Sequence, residues 1–163
     1  MRAYVSVGSN LGDRRGYLAL AARELRAVPG LSVLRASGVY ETEPVGPPGQ
    51  GRYLNAALEV ETTLPPVELL RCLLRVEAIA HRRRAARWGP RTLDLDLLLY
   101  DDLELRTPEL TLPHPGLPSR RFVLEPLAEL CPDRPVPGNA ATVGELCRRA
   151  PRHPVTRVGL YPL

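Results

Sequence analysis

The order of the elements predicted from the sequence places this chain in the α+β class, as a ferredoxin-like βαββαβ antiparallel sheet with helices packed on it. Three observations lead to that class. Four strand-like segments lie within residues 1–100, two segments with helical spacing separate them in the order β-α-β-β-α-β, and turn-forming residues mark the boundaries. The residues after the short strand near Leu103 to Leu105, including helices from Arg121 to Leu130 and from Val143 to Arg149, are predicted to form a C-terminal elaboration on this core.

The strands are predicted from short apolar runs that end at turn residues. The third strand shows the clearest alternation, in Leu58, Val60 and Thr62, and a proline- and glycine-rich loop at 43–51 precedes it. In chain order the predicted strands are Arg2 to Gly8, Leu31 to Tyr40, Tyr53 to Thr62, Leu93 to Tyr100 and a short one near Leu103 to Leu105.

The helices are predicted from apolar residues at helical spacing between capping and breaking signals. Asp13 is the expected cap of the first helix and Pro29-Gly30 its stop, while Pro65-Pro66 begins the second. The apolar stripe of the second helix is formed by Leu69, Leu70, Leu73, Leu74 and Val76. In chain order the predicted helices run from about Arg14 to Val28, from Pro65 to about Ala80, from Arg121 to Leu130 and from Val143 to Arg149.

The composition excludes several classes of protein. A hydrophobic content of 44% and a charged content of 25% are ordinary for globular proteins and argue against intrinsic disorder. The apolar stretch near residue 5 is too short for a signal-peptide core, and no window approaches the length of a membrane span. Cys72, Cys131 and Cys147 lack the spacing of a zinc or redox motif and are expected to be reduced. We therefore expect a cytoplasmic protein without a membrane partner.

The strongest functional signal lies in the run 82–100, RRRAARWGPRTLDLDLLLY. Asp94 and Asp96 alternate with leucines, so both carboxylates project from one face of the predicted strand, about 6.6 Å apart along it. Leu98 continues that face. Burying two carboxylates is costly unless cations compensate, and paired hard oxygens suit Mg²⁺ that is held by carboxylates and by substrate phosphates. The residues expected on the opposite face are Leu93, Leu95, Leu97 and Leu99.

Five arginines and no acidic residue lie between Arg82 and Arg91. A guanidinium group grips phosphate oxygens in bidentate fashion, which lysine cannot do, and the chain contains no lysine. Because the net charge is only +4, a local anion site explains this run better than a basic surface would. A half-solvated strand beside an exposed arginine run is the plain alternative, and the intervening Trp88-Gly89-Pro90 argues against it.

Several residues taken one at a time give weaker signals. Asn55 in the third strand and Thr42 at the end of the second could hydrogen-bond a planar heterocycle. Trp88 and Phe122, each the only residue of its type, could stack on such a ring, although core packing is the commoner use of an aromatic side chain. His114 lies in a turn between two prolines, where simple exposure explains it equally well. Neither GxxxxGK[ST] nor GxGxxG occurs, which excludes those phosphate-binding loops.

Four segments, which extend to about Leu130, carry a resemblance to a known family. They are SVGSNLGDR, YETEPVG followed by QGRYLNAALEVET, RRRAARWGPRTLDLDLLL, and PHPGLPSRRFVLEPLAEL. The third is highly specific, because it combines tryptophan, glycine, proline and arginine with two aspartates that one residue separates. Together the segments resemble the 6-hydroxymethyl-7,8-dihydropterin pyrophosphokinases of folate biosynthesis, whose fold is ferredoxin-like. The residues after Cys131 match nothing in that family.

The resemblance implies an activity and a division of roles. The chain would transfer pyrophosphate from ATP to the hydroxymethyl group of 6-hydroxymethyl-7,8-dihydropterin and release AMP, as a single catalytic domain over residues 1–163. ATP would be the co-substrate, and Asp94 and Asp96 would hold two Mg²⁺ ions. Arg82 and Arg91 would act with these aspartates in catalysis. The residues implied in ATP binding are Arg82, Arg84, Arg87, Trp88, Arg91, His114 and Arg120.

The pterin is expected to bind across a second group of residues. Thr42 and Asn55 would hydrogen-bond its aminopyrimidine edge, and its ring would lie between Tyr53 and Phe122. Trp88 would belong to a loop that closes over both ligands. The full set implied in pterin binding is Thr42, Val45, Tyr53, Asn55, Trp88 and Phe122.

Two other function classes stay open beside this one. A ferredoxin-like module could bind RNA through the arginine-rich loop, but such sheets carry exposed aromatic residues where this chain has Asp94 and Asp96. A purely structural protein does not account for paired aspartates on an apolar strand. We therefore expect a protein that acts on small molecules and has no nucleic-acid partner. A monomer is a separate expectation.

Overall fold

An antiparallel sheet of six strands separates two layers of helices. The computed structural model describes residues 1–43, 51–82 and 92–163, with Arg82 described only as the last residue of a helix. The strands are β1 Arg2–Ser9, β2 Leu31–Ala36, β3 Val39–Thr42, β4 Tyr53–Thr62, β5 Asp94–Tyr100, β6 Leu105–Arg106, β7 Thr111–Leu112 and β8 Val155–Gly159. The helices are α1 Arg14–Arg26, α2 Pro66–Arg82, α3 Arg121–Leu130 and α4 Val143–Arg149.

The strand order confirms the predicted ferredoxin-like arrangement. Neighbouring strands follow the order β5-β1-β4-β3-β8, and β2 pairs with β4 beside β3. All of these pairs are antiparallel. The helix α1 connects β1 to β2, and α2 connects β4 to β5, which completes the βαββαβ pattern. The short strands β6 and β7 form a separate hairpin near the predicted strand at 103–105.

Capping explains where α1 and α4 begin. The side chain of Asp13 accepts a hydrogen bond from the Gly16 N–H at 3.0 Å, as predicted. Thr142 and Glu145 form a capping box that starts α4 at Val143. The bounds of α3 and α4 agree with the prediction. Along the described parts of the chain, no helix combines the length and the apolar character that crossing a membrane requires.

The predicted second strand is divided into β2 and β3. Ser37 interrupts it, because its hydroxyl accepts a hydrogen bond from the Ala57 N–H at 2.8 Å and donates one to the Gly38 carbonyl at 2.7 Å. The Gly38 N–H then leaves the ladder and donates to Glu129 of α3 at 2.8 Å. One continuous strand from Leu31 to Tyr40 is therefore wrong, since these side-chain bonds replace ladder bonds.

A bulge in β5 changes the face of its last residues. Val5 of β1 pairs with Leu97, but Tyr4 pairs with Leu99, so β5 contains one extra residue between these two pairs. Leu95 and Leu97 face α1 and α2 as predicted. Leu99 instead joins the cluster on the α3 face. The prediction for Leu99 is wrong because the extra residue shifts the alternation by one.

The two faces of the sheet bury separate apolar clusters. The first cluster joins the sheet to α1 and α2, and the second joins it to α3, which α4 covers. Leu74, predicted to belong to the stripe of α2, is 52% exposed. At 3.6 residues per turn its side chain points well away from the buried Leu69, Leu73 and Val76. The strand β8, which pairs with β3, was not predicted.

Two leucine truncations test this burial pattern. Leu58→Ala should lower the free energy of unfolding by about 2–5 kcal/mol, because the side chain is removed from a packed core. Leu58 is 0% exposed, whereas the matched control Leu74 is 52% exposed. Leu74→Ala should change the free energy by no more than about 0.5 kcal/mol. Urea denaturation followed by circular dichroism measures both, and equal losses would contradict the assignment of the core.

Candidate active site

A cavity of about 240 Å³ lies where the ends of four strands meet the first turn of α3. Because the strands are antiparallel, β1 and β3 end on the same side of the sheet on which β4 and β5 begin. The cavity is lined by Ser6, Gly8, Thr42, Glu43, Tyr53, Asn55, Asp94, Asp96, Arg120, Phe122 and Val123. Seven of these lining residues were predicted as site residues from the sequence: Thr42, Tyr53, Asn55, Asp94, Asp96, Arg120 and Phe122.

The acidic wall of the cavity is the beginning of β5. Asp94 pairs with Gly8 of β1 and Asp96 pairs with Ser6, so both carboxylates stand beside residues with little or no side chain. Both aspartates are partly exposed, while Leu95 between them is buried in the core. The alternation predicted from the sequence therefore directs both carboxylates into the cavity.

A carboxylate from α2 binds β5 on the side that faces away from β1. Glu77 of α2 is buried, and its Oε2 accepts a hydrogen bond from the Leu95 N–H at 2.7 Å. β5 is the edge strand of the sheet, so this N–H has no neighbouring strand to bond. Glu77 thereby fixes the peptide between the two aspartates. It lies one turn beyond Leu73 on the buried face of α2, and a carboxylate on an apolar stripe was the signal that could have identified it.

The opposite wall carries an oriented amide. Asn55 is buried, and its Nδ2 donates a hydrogen bond to the Thr42 hydroxyl at 2.9 Å. A Cβ placed on Gly8 would lie 2.9 Å from Oδ1 of Asn55, so only glycine leaves the amide its position. With Nδ2 bonded to Thr42, the Oδ1 atom of the amide lies on the Gly8 side. This arrangement can present one acceptor and one further donor to a planar ligand.

Aromatic side chains line the cavity from two different elements. Tyr53 comes from the beginning of β4 and Phe122 from the first turn of α3, and both are partly buried. A flat ring bound between them would bury its faces against apolar carbon while its edge met the amide of Asn55.

Arg120 and His114 lie on the acidic side. The Arg120 side chain is exposed and crosses Gly116, where an added Cβ would lie 2.7 Å from its Nε. The Nδ1 atom of His114 accepts a hydrogen bond from the Gly116 N–H at 3.0 Å. Burial lowers the pKa of His114 below its ordinary value; the charge of Asp96 opposes this shift, and that of Arg120 adds to it. His114 does not line the cavity itself but a second cavity beside it.

Several of the predicted site residues belong to parts of the chain that the structure does not describe. Val45, Arg84, Arg87, Trp88 and Arg91 lie outside the described residues, and so does the side chain of Arg82. Their roles stay predictions. Four cavity residues were missed in the sequence, namely Ser6, Gly8, Glu43 and Val123. Ser6 and Gly8 alternate with buried valines on β1, and this interruption of an apolar strand was the available signal.

The donor set suits a hard cation only if a ligand completes it. Within residues 1–43, 51–82 and 92–163, no group of three or more His, Cys, Asp or Glu side chains is arranged to hold a metal. Asp94 and Asp96 supply carboxylate oxygens from one wall of the cavity, whereas the carboxylate of Glu43, which also lines it, pairs with Arg52 at 3.0 Å. Mg²⁺ commonly retains waters and binds through one or two carboxylates together with substrate phosphates. The pair therefore fits Mg²⁺ that arrives with a polyphosphate.

Comparison with known proteins assigns the family. The sequence model of the 7,8-dihydro-6-hydroxymethylpterin-pyrophosphokinase (HPPK) family matches residues 4–132. The chain belongs to the HPPK family. This match includes all the residues that line the cavity, and it ends before α4 and β8.

Relatives and solved structures of HPPK proteins agree with this assignment. The 2-amino-4-hydroxy-6-hydroxymethyldihydropteridine pyrophosphokinase of Bacillus subtilis (strain 168) is 46% identical over 129 residues, which cover 79% of this chain and 77% of the relative. The protein of the same name from Methylorubrum extorquens is 44% identical over 137 residues, covering 84% and 87%. A crystal structure of HPPK-DHPS in complex with substrates superposes with a TM-score of 0.72 at 12% identity. That match covers 91% of this chain but 43% of the other and shows the shared fold.

The contribution of the hydrogen bond from the Leu95 N–H to Glu77 can be tested by measuring the stability of Glu77 variants. Glu77→Leu should lower the free energy of unfolding by about 1–3 kcal/mol, because it leaves the Leu95 N–H without its acceptor. Glu77→Gln keeps an oxygen at this position and should lose less. The control Glu68→Leu replaces an exposed residue of the same helix and should have little effect. If Glu77→Leu unfolds at the same urea concentration as the wild type, the bond contributes no stability.

Proposed function

We propose that this chain transfers the pyrophosphoryl group of ATP to the hydroxymethyl oxygen of 6-hydroxymethyl-7,8-dihydropterin and releases AMP, a step of folate biosynthesis. The observation that carries this proposal is one cavity with a carboxylate pair on one wall and an oriented amide on the other. The names of the relatives from Bacillus subtilis and Methylorubrum extorquens support the activity. We propose residues 1–163 as a single catalytic domain.

The pterin would occupy the side of the cavity formed by β3, β4 and α3. Asn55 would bond the aminopyrimidine edge while Thr42 holds the amide in place. Tyr53 and Phe122 would enclose the ring from two elements, with Val45 and Trp88 as further predicted contacts. In this pose the hydroxymethyl group points toward β5, where Asp94 and Asp96 lie.

The triphosphate would occupy the acidic side, where cations must compensate the aspartates. Asp94 and Asp96 fit the binding of two Mg²⁺ ions, which would neutralise charge on the phosphate oxygens. Arg120 lines the cavity and would contact the phosphates together with His114. The remaining contacts are predicted from the sequence alone: Arg82, Arg84, Arg87, Trp88 and Arg91.

The reaction needs positioning and charge neutralisation more than covalent chemistry. The hydroxymethyl oxygen attacks the β-phosphorus of ATP, a new phosphorus–oxygen bond forms, and the bond to the oxygen that bridges the α- and β-phosphorus atoms breaks. AMP leaves with that oxygen, and the hydroxyl proton leaves the substrate. Asn55 fixes the direction of the attacking group by holding the far end of the ring. Asp96 is our candidate to accept the proton.

We further propose a cytoplasmic monomer that acts on small molecules alone. One chain supplies both walls of the cavity, and its three cysteines are free, as is usual in a reducing compartment. The alternative of an RNA-binding module makes a different prediction in a filter-binding assay. RNA would be retained without Mg²⁺ and would dissociate steeply with added salt.

The activity is tested by AMP formation. A mixture of the purified protein, ATP and Mg²⁺ should release AMP only when 6-hydroxymethyl-7,8-dihydropterin is added. The pyrophosphorylated pterin should form in an equal amount. Omission of the pterin and chelation of the metal are the controls. AMP release at the same rate without pterin would instead indicate a hydrolase.

Removing one negative charge from the carboxylate pair should impair turnover. Asp94→Asn and Asp96→Asn keep the side-chain shape but weaken metal binding, so kcat should fall by at least about 10²-fold. Circular dichroism should show an intact fold for both variants. Near-normal turnover of both at saturating Mg²⁺ would overturn the metal assignment.

Two substitutions should weaken the binding of the pterin without changing the binding of Mg-ATP. Asn55→Ala should weaken pterin binding by about 1–3 kcal/mol through the loss of buried hydrogen bonds, with Mg-ATP affinity unchanged. Gly8→Ala should have the same selective effect, because its Cβ would displace the amide of Asn55. Calorimetric titration with each ligand measures both affinities. Equal losses for the two ligands would point to general damage to the fold.

A further inference from the structure

The segment between α4 and β8 connects two of the elements that contribute residues to the cavity. At one end, Arg121 of α3 holds it by donating to the carbonyl of Ala150 at 2.7 Å and to that of Pro151 at 3.2 Å. At the other end, Val155 begins β8 and pairs with Thr42 of β3. The segment therefore connects the first turn of α3 to the end of β3. It lies beyond residues 4–132, which the family model matches.

His153 is the residue of this segment that turns toward the cavity walls. Pro151, Arg152 and Pro154 are exposed, whereas His153 is partly buried. Its Nε2 lies 2.9 Å from the carbonyl oxygen of Glu43. Because a carbonyl oxygen can only accept, Nε2 must carry a proton and donate it. In the sequence His153 gave no functional signal.

The imidazole also contacts the aromatic wall. Its ring centroid is 5.8 Å from that of Phe122, and the two planes are inclined by 59°. This tilted arrangement lies within the favourable range for ring pairs. Phe122 and Glu43 both line the cavity; Phe122 belongs to α3, whereas Glu43 directly follows β3. One side chain thus touches two separate walls.

We propose that His153 is a positioning residue for the heterocyclic substrate. Its ring packs against Phe122, one side of the proposed pterin pocket, and its N–H holds the backbone where β3 ends beside Thr42. Neither contact involves the aspartates on the far wall. His153 should therefore determine affinity for the pterin and leave that for Mg-ATP unchanged. This inference rests on the proposed pyrophosphokinase function.

Three substitutions separate the two contacts of His153. His153→Ala removes both, His153→Phe keeps a ring without the donor, and His153→Gln keeps an N–H donor without the ring. The matched control is Thr156→Ala, which removes an exposed side chain three residues away. Calorimetry measures the Kd of 6-hydroxymethyl-7,8-dihydropterin in the presence of Mg²⁺ and a non-hydrolysable ATP analogue. Steady-state kinetics measures kcat and both KM values.

His153→Ala should raise the Kd and KM of the pterin by about 5- to 20-fold, the usual effect of losing one hydrogen bond and one ring contact. The Phe and Gln variants should recover part of this loss. The Kd of the ATP analogue, kcat and the thermal midpoint should stay close to wild-type values in all four proteins.

Two results would overturn the inference. Unchanged pterin affinity in His153→Ala would exclude a positioning role, and equal losses for both ligands with a lowered thermal midpoint would indicate a structural role only. Failure of the proposed function is a different outcome. Wild-type protein that binds pterin but forms no AMP would refute the pyrophosphokinase activity, and the binding comparison among the variants would still decide the role of His153.

Discussion

The register of β1 between its two neighbours determines the geometry of the site. Gly8 pairs with Asn55 on one side and with Asp94 on the other, so the amide and the first carboxylate stand in one row across three strands. Side chains alternate between the faces of a sheet, and a slip of β4 and of β5 by one residue against β1 would turn both groups into the apolar layer beneath α1 and α2. The buried leucines and valines of that layer therefore also specify the site.

Much of the fold could be predicted because its signals are local. Asp13 caps α1 by accepting a bond from an N–H three residues away, and the alternation around Asp94 and Asp96 shows which side chains share a face. The candidate site was largely recognised through the resemblance to a family, and individual residues such as Asn55 gave only weak signals by themselves. Local chemistry and family resemblance together identified the residues that line most of the cavity.

The features that were missed depend on contacts distant in sequence. The break between β2 and β3 follows from the bonds of Ser37 and Gly38 to residues 20 and 91 positions away. Glu77 acts across 18 residues and His153 across 110. A sequence pattern identifies a side chain but not its distant partner. Glu77 therefore resembles a residue on the surface of a helix, and His153 resembles a residue of a C-terminal segment without a role. The bulge in β5 is also set by its pairing with β1.

The two polar contacts along the outside of β5 have a consequence for assembly. Glu77 occupies the N–H of Leu95, and the His114 N–H donates to the carbonyl of Leu98 at 3.0 Å. An exposed edge strand offers such groups to the edge of another molecule and so promotes aggregation. Here a side chain and a loop already occupy two of them. The strand that carries the aspartates is thereby protected from pairing with a second sheet, while the face that bears its carboxylates stays open to the cavity.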